Sequence, residues 1–175
     1  MKYPFSIRIF HWVSAALILG LLILGIYMTP YDESNMPFAD GLYFWHKSFG
    51  VLMFLIVIFR FYNRKKHTLP ELPSTLPKHE KFAAHVVHKG LYLLMIIIPL
   101  IGYIQSSSYE YSGGVPFFIM YLPEIIPKDA TVFAVSNFLH RWLSYLFILL
   151  LTCHILGALK HRFFDKENDV LNRII

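Results

Sequence analysis

Residues 138–162 read FLHRWLSYLFILLLTCHILGALKHR, and this stretch decides the fold. Its apolar run is long enough to cross the hydrocarbon core of a membrane, which is about 30 Å thick. His140 and His154 stand 14 residues apart within it. At roughly 100° and about 1.5 Å per residue, their side chains lie within about 40° of one face and about 21 Å apart along the axis. One helix face therefore offers an imidazole near each side of the membrane.

Three further apolar runs precede this stretch, at about residues 7–28, 42–61 and 86–105. They are continuous rather than alternating, so each predicts a membrane helix and not a strand of a barrel. We expect the first run to be retained, since no convincing signal-peptide cleavage site follows it. The sequence predicts an all-α fold, an integral membrane four-helix bundle formed by one domain over residues 1–175, with the fourth helix at 138–162.

The composition agrees with a membrane protein and limits its chemistry. Of the 175 residues, 56% are hydrophobic and only 15% are charged, which leaves no room for a soluble catalytic domain. Cys153 is the single cysteine. It excludes an intramolecular disulfide, a CxxC redox pair and a cysteine-ligated iron–sulfur cluster.

Lysine and arginine are distributed unevenly along the chain. Thirteen of the sixteen lie in the N-terminal segment, the second connection or the C-terminal segment. The other side of the predicted bundle carries only Lys47, Lys128 and Arg141. By the positive-inside rule we predict that both termini of this lipid-surrounded protein are cytoplasmic. The net charge of +5 is then a topology signal and predicts no nucleic-acid partner.

The first and third connections differ in character. The first, at about residues 29–41, is short and acidic, with Asp32, Glu33 and Asp40. The third, at about 106–137, begins polar and continues as VPFFIMYLPEIIP. This apolar part is too short to span, and we predict that it lies against the membrane surface as a lid.

Two more histidines complete the pattern. In the predicted topology His11 lies at the depth of His154 on the inner side, and His46 at the depth of His140 on the outer side. Histidine inside a membrane is costly and usually functional. Two facing imidazoles suit the axial positions of a b-type haem iron and favour electron transfer, because no open site remains. We predict two bis-histidine haems b; a proton relay, another metal or helix–helix hydrogen bonds are the alternatives.

Other polar residues lie near the two predicted haem levels. His88 is an alternative to His11 as a ligand of the inner haem, and it could instead contact a propionate or a quinone. His161 lies near the face of His154 and is a candidate for the same contacts. Arg8 and Lys81 are candidate partners for the inner propionates or a quinone. Lys47 and Arg141 stand beside the outer ligands, and Lys128 lies in the covering loop; topology anchoring is the alternative role.

Four stretches resemble the bacterial cytochrome b561 family and cover nearly the whole chain. They are SIRIFHW, WHKSFGVLMFLIVIFRF, AHVVHKGLYLLMIIIPLIGY and the ending LHRWLSYLFILLLTCHILGALKHRFFDKENDVLNRI. The resemblance implies a compact dihaem cytochrome b whose ligands pair the first and second helices with the fourth. Some members carry a lysine and a serine shortly before the first histidine of the fourth helix. Here Asn137 and Phe138 stand at those places, and Arg141 stands where an acidic residue can follow that histidine.

The resemblance also implies electron exchange with a quinone and, for some members, oxidation of superoxide at the outer face. We therefore expect single-electron transfer from an outer donor, most concretely superoxide, to ubiquinone or another quinone. Lys47, Lys128 and Arg141 would steer the anion. The residues expected to give the quinone hydrogen bonds and protons are His88, His161, Lys81 and Arg8.

Two other functions remain open from the sequence. The chain could be a relay subunit docked to a separate oxidoreductase, which would use the same positive charges to bind an acidic protein donor. It could also be a haem-free transporter, but such a protein is expected to have broken helices and charges at the membrane midplane. The acidic residues here lie in connections or tails.

Overall fold

A computed structural model of the protein describes residues 2–29 and 38–175. Its long helices are α1 (Phe5–Met28), α2 (Ala39–Lys65), α3 (Lys78–Ser108) and α4 (Ala130–Phe163). Each contains an apolar window long enough to cross a membrane. The prediction of a helical bundle with four membrane-spanning segments is confirmed.

The helices run past the apolar stretches from which they were predicted. The α3 helix begins eight residues before its apolar run, at Lys78, because helical hydrogen bonding continues through polar residues outside the hydrocarbon. The α4 helix begins at Ala130 because Asp129 caps it. The Asp129 carboxylate accepts hydrogen bonds from the backbone N–H groups of Thr131 and Val132, at 2.8 and 2.9 Å. Of the predicted acidic loop, Asp32 and Glu33 lie outside the described residues.

The core lies at mid-height and joins all four helices. Its buried side chains are Ile18, Met53, Val57, Leu91, Leu94, Met95 and Phe147. At Gly90 the α3 helix approaches α4 closely, since an added Cβ would lie 2.8 Å from the Leu150 Cδ1 atom. Only 6% of the most apolar window of α1 is buried inside the protein, so most of its apolar surface faces outward, as a lipid-facing helix requires.

One end of the bundle, here named the termini end, gathers both tails and the α2–α3 connection. The backbone N–H of Tyr3 donates to the carbonyl of Arg173 at 2.9 Å, and the Trp12 indole donates to the carbonyl of Ile174 at 3.0 Å. The Arg173 guanidinium in turn donates to the Glu71 carbonyl at 2.6 Å. These contacts tie the last residues of the chain to its beginning and to the connection.

The opposite end, here named the hairpin end, is covered by two short antiparallel strands. They are β1 (Val115–Phe117) and β2 (Met120–Leu122), and Val115 pairs with Leu122. Ser48 of α2 holds this hairpin, because its hydroxyl donates to the Pro116 carbonyl at 3.3 Å and accepts from the Phe118 N–H at 3.1 Å. The apolar part of the third connection, predicted as a lid, is thus a hairpin packed on α2, and sequence analysis had assigned no strands there.

Candidate functional site

At the hairpin end, His46 of α2 faces His140 of α4. Their ring centroids are 6.2 Å apart and their planes are inclined by 77°. The His140 Nδ1 atom lies 3.1 Å from the carbonyl oxygen of Ile98. Because a carbonyl only accepts, Nδ1 must carry the proton and Nε2 keeps its lone pair. His140 is therefore held in the tautomer that a metal-ligating histidine needs.

The ring of His46 has an unsatisfied atom. Its Nδ1 is buried and has no hydrogen-bond partner among the described residues. Leaving such a group unpaired costs about 1–3 kcal/mol. A ligand bound beside His46 could recover this cost, so the atom is one sign that the site accommodates a bound group.

Two glycines make room for the imidazoles. A Cβ on Gly102 of α3 would lie 3.0 Å from His140 Cε1 and 3.1 Å from His140 Nδ1. A Cβ on Gly25 of α1 would lie 3.7 Å from His46 Cε1. The closer approach, at Gly102, fixes where the His140 ring can stand, and any side chain there would push it aside. Neither glycine had a recognisable signal in the sequence.

Both rings border a cavity of about 880 Å³ that extends from mid-height to the hairpin end. Its size is within the range of cavities that hold cofactors and other organic ligands. The apolar wall includes Ile18, Leu94 and Phe147. Its volume and lining suit a large and mainly apolar organic group that carries polar atoms on one side.

The polar edge of the cavity contains side chains that sequence analysis missed. Ser106 is 4% exposed, and its hydroxyl has no partner among the described residues. Beside it, the Gln105 amide donates to Asn137 Oδ1 at 3.2 Å. Lys47 and Arg141 also border this cavity, in agreement with their predicted position near the hairpin-end histidines.

At the termini end, His11 of α1 faces His154 of α4, again with ring centroids 6.2 Å apart. His88 of α3 is also close, with its centroid 5.2 Å from that of His154. If two imidazoles held a metal between them, with metal–nitrogen bonds of about 2 Å, their ring centres would stand about 6 Å apart. The two 6.2 Å pairs are near this spacing, and the His88–His154 pair is closer than it.

An arginine accompanies the termini-end pair. The Arg60 Nη2 atom of α2 lies 3.0 Å from His11 Nδ1, and the guanidinium carbon lies 5.3 Å from the centre of the Tyr92 ring. Arg64, one turn later, lies 6.0 Å from the same ring. In the sequence, Arg60 was counted only as one of the positive charges that predict the membrane orientation. Its position inside the apolar stretch FLIVIFRF was the signal that could have marked it as a site residue.

The cation Lys128 lies close to a carboxylate. Its ammonium forms an ion pair with Glu124 and donates to the Ser112 carbonyl at 2.6 Å. The hydrogen bond from Lys128 lowers the pKa of Glu124 below its usual value. The charge of Lys128 is thus largely balanced locally. The Lys47 ammonium lies 5.9 Å from the centre of the Tyr43 ring.

His161 is buried at the termini end between two carboxylates. Its Nε2 lies 3.3 Å from Glu80 and its Nδ1 lies 3.0 Å from Asp165. Their ligand atoms lie within 4.8 Å of one another, but Lys160 already pairs with Glu80. Asn168 donates to Asp165 and lowers its pKa.

The other two predicted termini-end residues lie in separate surroundings. Lys81 donates to the Ser74 carbonyl at 3.1 Å in the connection. Arg8 borders a groove of about 280 Å³ with Trp12 and Ile174, and its buried Nε has no partner among the described residues. The structure therefore brings the two histidine pairs together but does not gather Lys81, Arg8 and His161 into one site.

A membrane bundle with facing histidines at two depths defines the class of helical haem proteins that carry electrons. The family model described as prokaryotic cytochrome b561 matches residues 2–175. The chain is 31% identical to "Cytochrome b561 homolog 2" of Escherichia coli (strain K12) over 184 residues, covering 99% of this chain and 91% of that protein. It is 23% identical to "Cytochrome b561 homolog 1" of the same strain over 128 residues, covering 72% and 70%.

The chain belongs to the prokaryotic cytochrome b561 family, as its sequence resemblance predicted. It is accordingly a multi-pass bacterial membrane protein. Membership assigns it to the b-type cytochromes, which bind haem and transfer electrons. The histidine pairs and the cavity described above fit such a group.

Proposed function

We propose that this protein is a dihaem cytochrome b of the inner membrane that transfers electrons from superoxide to a quinone. The observation that carries the proposal is the repeated 6.2 Å pairing, in which one helix, α4, gives one histidine to each pair. In this proposal His46 and His140 hold one haem, and His11 and His154 hold the other. Bound there, the haems supply two one-electron carriers about 21 Å apart along α4.

The protein's own residues prepare the ligand positions. The Ile98 carbonyl keeps the proton of His140 on Nδ1, so that Nε2 is available to iron. Gly102 and Gly25 allow the two imidazoles to stand close to neighbouring helices. The apolar cavity wall excludes water from the macrocycle, which suits electron transfer without an open coordination position.

Superoxide is proposed to react at the hairpin end, which faces outward in this topology. It is a small anion, and Lys47 and Arg141 give this end positive charge beside the cavity. Each superoxide gives up one electron and leaves as dioxygen. Lys128 stands in the same region, but its pairing with Glu124 predicts a smaller contribution to steering.

The quinone is proposed to react at the termini end, where two electrons and two protons convert it to a quinol. The groove beside Arg8 is apolar and has one unpaired donor, the Arg8 Nε atom, which suits a quinone carbonyl. His161 lies at the same end, between the carboxylates of Glu80 and Asp165, and is proposed to give the quinone a hydrogen bond. Lys81 and His88 lie at the same end but do not line this groove, since Lys81 donates to Ser74 and His88 stands beside His154.

Two measurements test the proposal in sequence. An optical spectrum of the purified, reduced protein should show a b-type α band with about two haems per chain. Stopped-flow mixing with superoxide should then reduce the haems rapidly without any added protein. Reduction should slow as ionic strength rises, because exposed charges are screened over about 8 Å at physiological salt. Lys47→Glu should slow it further, and Lys128→Glu, the matched control, should slow it less.

A relay subunit docked to another oxidoreductase is the second candidate. The exposed hairpin tip favours it, since Ile119 is 99% exposed and is followed by exposed Met120 and Tyr121. Intact haems that superoxide does not reduce would support this function instead.

The proposed orientation is tested separately. With thirteen of sixteen Lys and Arg residues at the termini end, both termini should be cytoplasmic. A C-terminal alkaline phosphatase fusion should be inactive and a C-terminal fluorescent fusion bright. The opposite pattern would place the termini end outside and exchange the proposed sites of superoxide and quinone.

A further inference from the structure

The orientation of the Arg60 side chain needs an explanation, because this side chain is a cation. It lies near the termini end of α2, where an arginine side chain can extend towards water. Instead its guanidinium turns inward, to within 3.0 Å of His11, and is part-buried. None of the ion pairs found within residues 2–29 and 38–175 includes Arg60. A cation held inside a membrane bundle without a carboxylate partner is costly.

If His11 ligates iron, its ring can no longer accept a hydrogen bond from Arg60. A metal-bound imidazole carries a proton on its other ring nitrogen and donates from it. Arginine has five N–H donors and no acceptor. Two donors do not pair, so Arg60 then needs an acceptor other than His11. Tyr92 offers the guanidinium a hydrogen bond and a contact with its ring, but it is a neutral partner and does not balance the positive charge of Arg60.

We propose that Arg60 binds a propionate carboxylate of the haem held by His11 and His154. A propionate is an anion with two acceptor oxygens, and the planar guanidinium pairs with such a group through two parallel hydrogen bonds. The guanidinium lies 3.0 Å from His11, so it would be a candidate partner for a carboxylate on the edge of a haem held by that histidine. This inference rests on the proposed function, because it requires a haem at the termini end.

Arg64 provides the matched control. It lies one helical turn after Arg60 on the same helix and 6.0 Å from the same Tyr92 ring. It has the same charge but makes no hydrogen bond to His11 in the structure. Removing it tests the effect of one positive charge near this end of the bundle, without removing the group proposed to bind the propionate.

The experiment is a redox titration of the purified holoprotein and of Arg60→Gln, Arg60→Lys and Arg64→Gln. The reduction wave of the titration that is lost in His154→Ala is assigned to the termini-end haem. A nearby cation stabilises the reduced state, so Arg60→Gln should lower the reduction equilibrium constant of that wave at least tenfold, or 59 mV for one electron. Arg60→Lys should keep most of the parental value, and Arg64→Gln should change it less than threefold.

Infrared difference spectra with haem labelled with ¹³C at the propionates give a readout that a merely structural role would not change. The labelled carboxylate bands should shift in Arg60→Gln and stay in place in Arg64→Gln. Unchanged bands in Arg60→Gln, with or without a change of potential, would overturn the proposal. If Arg60→Gln loses the termini-end haem, Arg60→Lys decides: recovery of the haem supports a charge role, and continued loss contradicts it. A parental protein without haem would instead refute the proposed function.

Discussion

The two histidine levels have the same ring spacing but different surroundings. At the hairpin end, His46 and His140 border a large cavity that is also lined by the cations Lys47 and Arg141. At the termini end, His11 and His154 stand beside the cation Arg60. If each pair holds a haem, as proposed, equal ligands in unequal environments would give the two haems different reduction potentials, since charge and hydrogen bonding around the ligands tune the metal.

In the proposed function, the direction in which an electron gains free energy depends on which haem level its nearby cations stabilise more in the reduced state. Arg60 contributes beside His11 at the termini end, and Lys47 and Arg141 contribute at the edge of the hairpin-end cavity. The comparison of the two levels can therefore be tested by changes that affect one level and spare the other.

The largest expected effect comes from the ligands themselves. His140→Ala should remove the hairpin-end haem and His154→Ala the termini-end haem, each lowering the haem-to-protein ratio from about two to about one, because one axial ligand is lost. The pyridine haemochrome assay measures this ratio. Full haem content in both variants would show that the two pairs are not the ligands.

The termini-end level has a second test, because three histidines gather there. His11→Ala should remove the haem that His154→Ala removes. His88→Ala should keep it, since its 5.2 Å spacing to His154 is too short for two in-line ligands. Loss in His88→Ala with retention in His11→Ala would make His88 the ligand and leave Arg60 free to remain on His11.

Gly102 offers a smaller change at the hairpin end alone. In Gly102→Ala the new Cβ would lie 3.0–3.1 Å from the His140 ring, so the ring must shift. Overpacking of this kind costs about 1–3 kcal/mol, and we expect weaker binding of the hairpin-end haem with the other haem unchanged. Spectral titration of the apoprotein with haem measures this.

The matched control is Gly20→Ala on α1, where an added Cβ meets nothing within 4 Å. It should bind both haems like the parent and gain about 0.5–1 kcal/mol of helix stability. Equal haem affinity in Gly102→Ala and Gly20→Ala would mean that the His140 ring is not confined by α3.

The sequence predicted the helices from regularities within each apolar run, and the histidine pairs from the spacing in α4 together with the depths that the charge-based topology gives to His11 and His46. Apolar runs of membrane length mark the spans, and a 14-residue spacing marks one face. The sequence did not predict the roles of Gly102, Ser106 and Arg60, because each role depends on which side chain of another helix lies opposite. The hairpin escaped because two strands of three residues, Val115–Phe117 and Met120–Leu122, are too short for a period-2 pattern to stand out.

Ser48 tests whether the hairpin supports the nearby histidine level. Ser48→Ala leaves the Pro116 carbonyl and the Phe118 N–H without their side-chain partner, at a cost of about 1–3 kcal/mol. We expect faster hydrogen exchange across residues 115–122 and faster access of superoxide to the hairpin-end haem. Exchange at the termini end should not change; a uniform increase over the whole chain would indicate general destabilisation.

The smallest expected effect is a pH response of the loop that follows the hairpin. The Lys128 hydrogen bond lowers the pKa of Glu124 from its ordinary value of 4.5, so this carboxylate stabilises the loop above that pH and ceases to do so as the pH falls through the lowered value. The pair is exposed to solvent, and the change is therefore local and salt-sensitive. It should appear as reduced protection of the Gly114 amide, which donates to Glu124 at 3.1 Å.

Glu124→Gln should remove the pH dependence of the Gly114 amide protection at the hairpin end. The pH dependence of amide exchange at the termini end should remain. There Asp165 also has a lowered pKa, held by Asn168 and His161, so it should lose its stabilising effect in acid by the same mechanism. Asp165→Asn is the reciprocal variant, which should change exchange near residues 161–168 and leave Gly114 as in the parent. If either substitution altered both ends, the two levels would be coupled through the bundle, and the separate environments inferred for their haems would have to be reconsidered.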